Sequence, residues 1–351
     1  MYKDFLQEAS EKVSSCFYFK TENAGELVLQ AERKVRPSTL IPDVDNAAVG
    51  NTFALLQEDT TKRYSPVFSL SFKKGEKSML KTMLENVRKT CPLIHNITNY
   101  VTVNDCANIL IACGASPIMA DDKEEVEEIT SICSGLNINI GTLNCRTIAS
   151  MLIAGKQANE LNHPVVLDPV GAGASRLRTE TAMQLLEEVK FSVIRGNISE
   201  IKTLALGNGT TKGVDADVAD KVTEEKLNEV IAFAKAFAKK TGAVIAITGA
   251  IDIVADGQKA YCIRNGHSMM SAITGTGCQL SAMTAAFVTA NPNHPLEAAA
   301  AAVSAMGYAG EVAHGRLTEM DGNSTYRNYI IDAIYHMTPE MLEEGAKYEV
   351  R

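Results

Sequence analysis

The strongest constraint on the fold is an alternation of two kinds of segment that starts near Met79. From there to the C-terminus, apolar runs of strand length alternate with amphipathic segments of helical length, which is typical of an α/β protein. The runs are apolar on both faces, as expected for parallel strands that helices cover on both sides. The strands predicted in this way are residues 115–119, 136–141, 165–168, 192–195 and 244–248.

An antiparallel hairpin and eight helices complete this pattern. Residues 252–255 and 259–263 flank Asp256-Gly257, which predicts a hairpin at one edge of the sheet. The predicted helices lie near residues 100–112, 122–133, 145–160, 178–189, 219–240, 278–290, 296–311 and 326–335. We therefore expect a single α/β domain over residues 79–351, with a mostly parallel central sheet, helices on both faces and a small antiparallel edge hairpin.

Residues 1–78 do not share this pattern. They contain short apolar stretches without a sustained period, so we expect no core element there and poor packing against the domain. We interpret them as an extension that is either disordered or a leader read upstream of a true start at Met79.

The composition excludes several classes of protein. With 351 residues, 46% hydrophobic and 22% charged, the chain has enough apolar material for a packed core. The net charge is −8, and the sequence has neither a basic block nor a tryptophan. We therefore expect no nucleic-acid partner.

The cysteines and the chain start indicate a cytoplasmic protein. None of the eight cysteines forms a CxxC pair, which favours reduced thiols, and the first residues carry acids where an export signal needs an apolar core. Residues 268–296 lack Asp, Glu, Lys and Arg, but Gly275-Thr276-Gly277 interrupts them. We interpret this stretch as a loop and a buried helix, and we expect no membrane span.

The first of three candidate site loops follows the strand at 165–168. Asp168 ends the strand, and Gly171 and Gly173 allow a tight loop that exposes its backbone. Ligands of open α/β sheets bind at the carboxyl ends of strands. Taken alone, the loop fits a ligand site and an ordinary turn equally well.

The second loop follows the strand at 192–195. Arg195 has the charge to face a phosphate, and Asn197 and Glu200 share one face of a helix start, where they could hold water around Mg²⁺. The same spacing is that of a capping box. From spacing alone, capping is the favoured interpretation.

The third loop, Gly275-Thr276-Gly277-Cys278, opens an uncharged helix. Small residues let backbone N–H groups converge at a helix N-terminus, which suits a phosphoryl group. Cys278 lies in the same field, which favours its thiolate, although a buried thiol is the commoner role of a free cysteine. The Gly-Lys-Ser/Thr ending of a P-loop is missing.

Two other kinds of site are disfavoured by the sequence. The six histidines include no HxH or HxxxH pair, so we expect no zinc site. No GxSxG motif is present, and a cysteine–histidine hydrolase would require a proximity that the sequence does not show.

The order of the motifs resembles the hydroxyethylthiazole kinase family of the ribokinase-like superfamily, from about Met79 to the C-terminus. The segments that carry the resemblance are His95-Asn-Ile-Thr-Asn99, Gly114-Ala-Ser-Pro-Ile-Met119, Asn139-Ile-Gly-Thr-Leu143, Asp168-Pro-Val-Gly-Ala-Gly-Ala174, Arg195-Gly-Asn-Ile-Ser-Glu200, Lys212-Gly-Val-Asp-Ala216, Ala246-Ile-Thr-Gly249 and Thr274-Gly-Thr-Gly-Cys278. The resemblance implies MgATP-dependent phosphorylation of the primary alcohol of hydroxyethylthiazole in thiamine salvage. It also implies a homotrimer with substrate sites between protomers.

The resemblance further implies a role for each site residue. ATP would contact Arg195 and Thr248; the thiazole would contact Met119 and Gly275, with Asn99 nearby; Glu200 and Asp168 would organise Mg²⁺ and its water; and the amides of Gly275, Thr276 and Gly277 would form an anion hole. Cys278 would accept the alcohol proton, at a position where most ribokinase-like enzymes have aspartate.

Two alternatives remain open from the sequence. The same scaffold could carry a related reaction, such as phosphorylation of a pyrimidine alcohol or ATP-dependent dehydration of damaged nicotinamide cofactors. A catalytically silent binding protein that keeps the fold is the second alternative.

Overall fold

A computed structural model describes the backbone of residues 74–207 and 222–351, and side-chain surroundings from residue 79 onward. The strands in this part of the chain are Leu93–Ile97 (β1), Ser116–Met119 (β2), Gly135–Asn139 (β3), Val165–Asp168 (β4), Val193–Asn197 (β5), Val244–Thr248 (β6), Asp252–Ala255 (β7), Ala260–Ile263 (β8) and Tyr348–Val350 (β9).

The helices in the same residues lie between and after these strands. They are Lys74–Thr90 (α1), Val103–Cys113 (α2), Val126–Ile132 (α3), Cys145–Glu160 (α4), Arg176–Glu188 (α5), Ile198–Leu206 (α6), Leu227–Thr241 (α7), Thr276–Ala290 (α8), Pro295–Gly315 (α9), Asn323–His336 (α10) and Pro339–Gly345 (α11). A short 3₁₀ helix, Ser268–Ala272, precedes α8. None of these helices combines the length and the apolar character that a membrane crossing needs.

All nine strands form one sheet in the order β2-β1-β3-β4-β5-β6-β7-β8-β9. The pairs from β2 to β6 are parallel, and the pairs from β6 to β9 are antiparallel. The carboxyl ends of β1 to β6 therefore lie along one edge of the sheet, where open α/β sheets place their ligand sites.

The core lies on both faces of the sheet. Along each strand, side chains alternate between two layers: Val166 and Val193 pack with α1, α2 and α8 to α11, whereas Val165, Leu167 and Ile194 pack with α3 to α7. Helices on both faces explain why these strands are apolar on both sides.

The fold class predicted from the sequence is confirmed. The five parallel strands and the hairpin strands are present, with bounds that differ from the predicted ones by at most two residues. The hairpin is not the sheet edge, however, because β9 pairs with the outer side of β8. A three-residue strand at the end of the chain is too short to show a period of two.

Other elements differ from the predictions. The strand β1 and the helices α1 and α11 were not predicted, and the helix predicted at 219–240 begins only at Leu227 in the described residues. The helix α1 starts at Lys74, upstream of the predicted boundary at Met79. The predicted behaviour of residues 1–78 falls almost wholly outside the described residues.

Candidate active site

A cavity of about 1190 Å³ opens at the carboxyl edge of the parallel strands. Arg195 from β5 and Thr248 from β6 line it, together with Glu200 from α6 and Cys278 from α8. The volume is at the upper end of ligand cavities and suits a nucleotide beside a small second substrate. The structure thus brings together side chains that the sequence assigned to three separate loops.

Arg195 occupies the centre of one side of this cavity. Its Nη2 donates to Thr248 Oγ1 at 2.7 Å, and its Nη1 lies 3.5 Å from Asp168 Oδ1. Its Nε is shielded from solvent and has no hydrogen-bond partner among the described residues. A Cβ at Gly277 would collide with this guanidinium, so glycine is needed where α8 approaches β5.

Asp168 lies beneath the cavity rather than in its wall. Its side chain is fully buried, and its Oδ2 accepts hydrogen bonds from Asn139 Nδ2 at 2.8 Å and Ser281 Oγ at 2.9 Å. Burial raises the pKa of Asp168, while the Arg195 cation and these two donors favour its charged form. The carboxylate therefore holds Arg195 and neighbouring side chains in place from below.

Glu200 combines the two roles that its spacing left open. Its Oε2 accepts from the Asn197 backbone N–H at 2.8 Å, and Asn197 Oδ1 accepts from the Glu200 backbone N–H at 2.9 Å, so the capping box is confirmed. Its Oε1 accepts from the Gly171 N–H at 2.8 Å. The carboxylate also lines the cavity. Burial, and next the charge of Asp168, raise the pKa of Glu200 to about 7.

The opposite side of the cavity is formed by Asn99 and the start of α8. Gly275 has a φ of 89° and no side chain caps the helix, so the first-turn N–H groups face the cavity without a side-chain acceptor. A Cβ at Gly275 would also collide with Thr102. Asn99 Nδ2 donates to Cys278 Sγ at 3.2 Å. This side of the cavity is polar without a carboxylate.

The expectation that Cys278 favours its thiolate is wrong for this structure. Burial, and next the charge of Asp168, raise the pKa of the Cys278 thiol. These effects exceed the stabilising field of the helix N-terminus. Cys278 is therefore a protonated thiol near neutral pH.

Met119 is the predicted site residue that the structure does not bring to the others. It lies at the end of the edge strand β2, is half-buried and is absent from the cavity wall of this chain. Its assignment to the substrate stays a prediction.

The sequence analysis missed two charged residues of the cavity wall, Asp252 and Arg178. Asp252 Oδ1 accepts from the Gly249 N–H at 2.8 Å, and burial raises the pKa of Asp252 to about 7. Arg178 donates to the carbonyls of Gly141 at 2.6 Å and Val170 at 3.1 Å. Asp252 has the pattern of a hairpin residue and Arg178 that of a helix surface; only the clash between a Cβ at Gly171 and Arg178 marks the latter.

Comparison with known proteins identifies the family. The model of the hydroxyethylthiazole kinase family matches residues 84–340. A hydroxyethylthiazole kinase of Clostridium acetobutylicum is 71% identical over 271 residues, which are 77% of this chain and 99% of that relative. The chain belongs to the hydroxyethylthiazole kinase family.

Solved structures agree with this membership of the hydroxyethylthiazole kinase family. The hydroxyethylthiazole kinase of Pyrococcus horikoshii has a TM-score of 0.69 at 35% identity, over 78% of this chain and 98% of that one. A pyridoxal kinase of Staphylococcus aureus has a TM-score of 0.51 at 17% identity, over 74% of this chain and 97% of that one, and this likeness shows the fold alone. The predicted ribokinase-like α/β fold is confirmed.

Proposed function

We propose that the chain transfers the γ-phosphoryl group of MgATP to the primary alcohol of hydroxyethylthiazole. The observation that carries this proposal is the arrangement of one cavity, with Arg195 and Glu200 on one side and Cys278 at an uncapped helix N-terminus on the other. Such a cavity presents cations and N–H donors to a phosphoryl group and an acceptor to an alcohol. The family relatives named hydroxyethylthiazole kinase supply the substrate class.

Arg195 and Thr248 bind the phosphates of ATP in this proposal. The unpartnered Nε of Arg195 offers a donor that a phosphate oxygen would satisfy. Thr248 already holds Nη2 in place, so the guanidinium is oriented before the nucleotide arrives. Its side chain is only 12% exposed, which strengthens its interaction with an anion.

The carboxylates of the site fit Mg²⁺ that arrives with ATP. Mg²⁺ binds oxygen, keeps several waters and uses one or two carboxylates beside the phosphates of a nucleotide. Glu200 faces the cavity and Asp168 lies directly beneath it, so we assign Glu200, and Asp168 through Arg195 and water, to organising MgATP. Bound Mg²⁺ neutralises charge on the phosphates.

The amides of Gly275, Thr276 and Gly277 form the anion hole for the moving phosphoryl group. They begin a helix of 15 residues that no side chain caps, so their N–H groups and the helix dipole meet the negative charge that develops on the phosphoryl oxygens. Gly277 also lets Arg195 approach the same point. Donors from two elements then converge on one group.

Cys278 accepts the proton of the alcohol as the oxygen–phosphorus bond forms. The alcohol oxygen bonds to the γ-phosphorus, the bond to the β,γ-bridging oxygen breaks, and ADP leaves with that electron pair. In a loose transition state the alcohol keeps its proton until late, so a weak base is sufficient. A thiol with a raised pKa then predicts turnover that rises with pH.

A homotrimer would complete the thiazole end of the site. Met119 lies on the edge strand, away from the cavity of its own chain, while Tyr100 at 78% exposure and Val101 at 56% lie beside the cavity. Burial of such apolar side chains by a second copy is expected. We infer that Met119 of a neighbouring copy contacts the thiazole, and light scattering would report the trimer.

We place the protein in the cytoplasm. All seven cysteines within the described residues are free thiols, as is usual in reducing compartments.

A product assay with three alcohols tests the proposed function. Hydroxyethylthiazole, hydroxymethylpyrimidine and pyridoxal are each incubated with MgATP, and the products are identified by mass spectrometry. We expect a phosphate ester of hydroxyethylthiazole formed faster than the other two. Preferential phosphorylation of the pyrimidine or pyridoxal overturns the substrate assignment, and binding of ATP without any ester supports the silent binding protein.

A further inference from the structure

A continuous set of buried hydrogen bonds connects Asp168 to the sulfur of Cys278. Asn139 Nδ2 donates to Asp168 Oδ2 at 2.8 Å, Asn99 Nδ2 donates to Asn139 Oδ1 at 3.0 Å, and the same Nδ2 donates to Cys278 Sγ at 3.2 Å. We call these four residues the amide chain. Asp168, Asn139 and Asn99 are at most 4% exposed, so water does not compete for these bonds.

The direction of every bond in the amide chain follows from Asp168. A carboxylate accepts and does not donate, so Asn139 must turn its NH₂ towards Asp168 and its carbonyl towards Asn99. The backbone N–H of Gly141 donates to the same carbonyl at 2.9 Å, which fixes that orientation a second time. Asn99 must then present its NH₂ to Asn139 and to Cys278.

Thr102 fixes the other end of the Asn99 amide. The backbone N–H and the hydroxyl of Thr102 donate to Asn99 Oδ1 at 3.2 and 3.1 Å. Rotation of the Asn99 amide would therefore break bonds at both ends. One of its N–H groups stays directed at the Cys278 sulfur.

We propose that Asn139 is a positioning residue for phosphoryl transfer, because it holds the Asn99 N–H against Cys278 Sγ and so fixes the sulfur as an acceptor towards the substrate alcohol. This inference rests on the proposed function. A hydrogen bond to a sulfur that gains negative charge becomes stronger as the proton arrives from the alcohol and leaves again. Asp168 thereby acts on both sides of the cavity, through Arg195 directly and through Asn139 at a distance.

Asn137 provides a matched control on the same strand and the same face. It is fully buried like Asn139, and its Nδ2 donates to Asn96 Oδ1 at 3.1 Å. That bond leads away from Asp168 and Cys278. Replacement of Asn137 therefore tests the general cost of changing a buried asparagine in β3.

The experiment compares Asn139→Leu, Asn139→Ala and Asn137→Leu in the full chain. Leucine keeps the volume and alanine avoids overpacking, so at least one Asn139 variant is expected to fold, with Ser281 and Arg195 still bonded to Asp168. Two quantities are measured: kcat and KM with MgATP and hydroxyethylthiazole, and the pH midpoint of Cys278 alkylation by iodoacetamide. The second uses mass spectrometry of the Cys278 peptide and needs no turnover.

We expect the Asn139 variants to lose about tenfold or more in kcat, the size of one hydrogen bond to a charged group, with KM for ATP changed by less than about threefold. The alkylation midpoint should rise by about half a pH unit or more. Asn137→Leu should leave both quantities near the wild-type values.

Two outcomes overturn the inference about Asn139. One is an unchanged alkylation midpoint in a folded Asn139 variant, and the other is an equal loss of kcat in Asn137→Leu. An inactive wild-type protein overturns the proposed function instead, so the two failures are distinguishable.

Discussion

The phosphate side of the cavity, formed by Asp168, Arg195 and Glu200, is charged, whereas the alcohol side, formed by Asn99 and Cys278, is built from an amide and a thiol. On the phosphate side, an ion pair and backbone N–H groups compensate the buried carboxylates. On the alcohol side, the thiol keeps its proton because burial and Asp168 raise its pKa.

This difference corresponds to two chemical tasks. A phosphoryl group brings several negative charges and needs preorganised cations and N–H donors, whereas an alcohol is neutral and needs an acceptor that does not repel the incoming phosphoryl group. A carboxylate at Cys278 would add a negative charge near Asp168, and a thiol avoids that repulsion. The two sides meet at Gly277, whose missing side chain leaves room for Arg195.

Loss of Arg195 should have the largest effect on this division. Arg195→Met removes the phosphate contact and leaves the buried Asp168 carboxylate without its cation, a change that costs several kcal/mol. We expect kcat/KM for ATP to fall about 1000-fold, with lower thermal stability. Arg178→Met is the control, because Arg178 lines the same cavity but bonds to two backbone carbonyls. Equal losses in the two variants would contradict a special role for the charged side.

Contact between the two sides is tested by Gly277→Ala. The new Cβ would collide with the Arg195 guanidinium, so either Arg195 or the start of α8 must shift, and we expect kcat to fall about 10- to 100-fold. Gly249→Ala is the matched control, since its Cβ would lie 3.9 Å from the nearest atom, the Ile251 carbonyl oxygen. Steady-state kinetics of the two variants provides the measurement, and equal kcat values would show that the approach of Arg195 to α8 is unimportant.

The smallest effect concerns Asp252 at the edge of the charged side. Burial raises the pKa of Asp252 from 3.8 to about 7, so the unfolded chain loses this proton first as pH rises. Stability from Asp252 is therefore present below about pH 4 and is lost between about pH 4 and pH 7. In urea unfolding, the wild-type free energy of unfolding should decrease relative to Asp252→Asn over that interval, by at most about 1.4 kcal/mol per pH unit. A constant difference between the two proteins would show that Asp252 is not desolvated.

Much of the fold could be predicted from the sequence because a two-sided apolar strand has a recognisable pattern. The strand β1 was missed for the opposite reason, since His95 and Asn96 interrupt its apolar run. The His95 ring nitrogens lie 2.9 Å from Thr130 Oγ1 and the Ala120 carbonyl oxygen. Such bonds allow polar residues into a buried strand, and they depend on partners far away in the sequence.

The candidate site shows the same limit. Arg195, Glu200 and Cys278 follow strand ends or open helices, so local patterns predict them. Asp252 and the raised pKa of Cys278 depend on burial and on the distance to Asp168, which only the folded chain sets.

The most direct test of Cys278 as the proton acceptor is the pH dependence of kcat for the wild type, Cys278→Asp and Cys278→Ala. Aspartate can accept the same proton from the same helix N-terminus, and its lower pKa keeps it ionised at lower pH than the thiol. We expect wild-type kcat to rise with pH, Cys278→Asp to keep substantial activity with its plateau displaced to lower pH, and Cys278→Ala to lose much of its activity. A folded Cys278→Asp protein that binds ATP without turnover, or an unchanged pH profile in that variant, would contradict this role of Cys278.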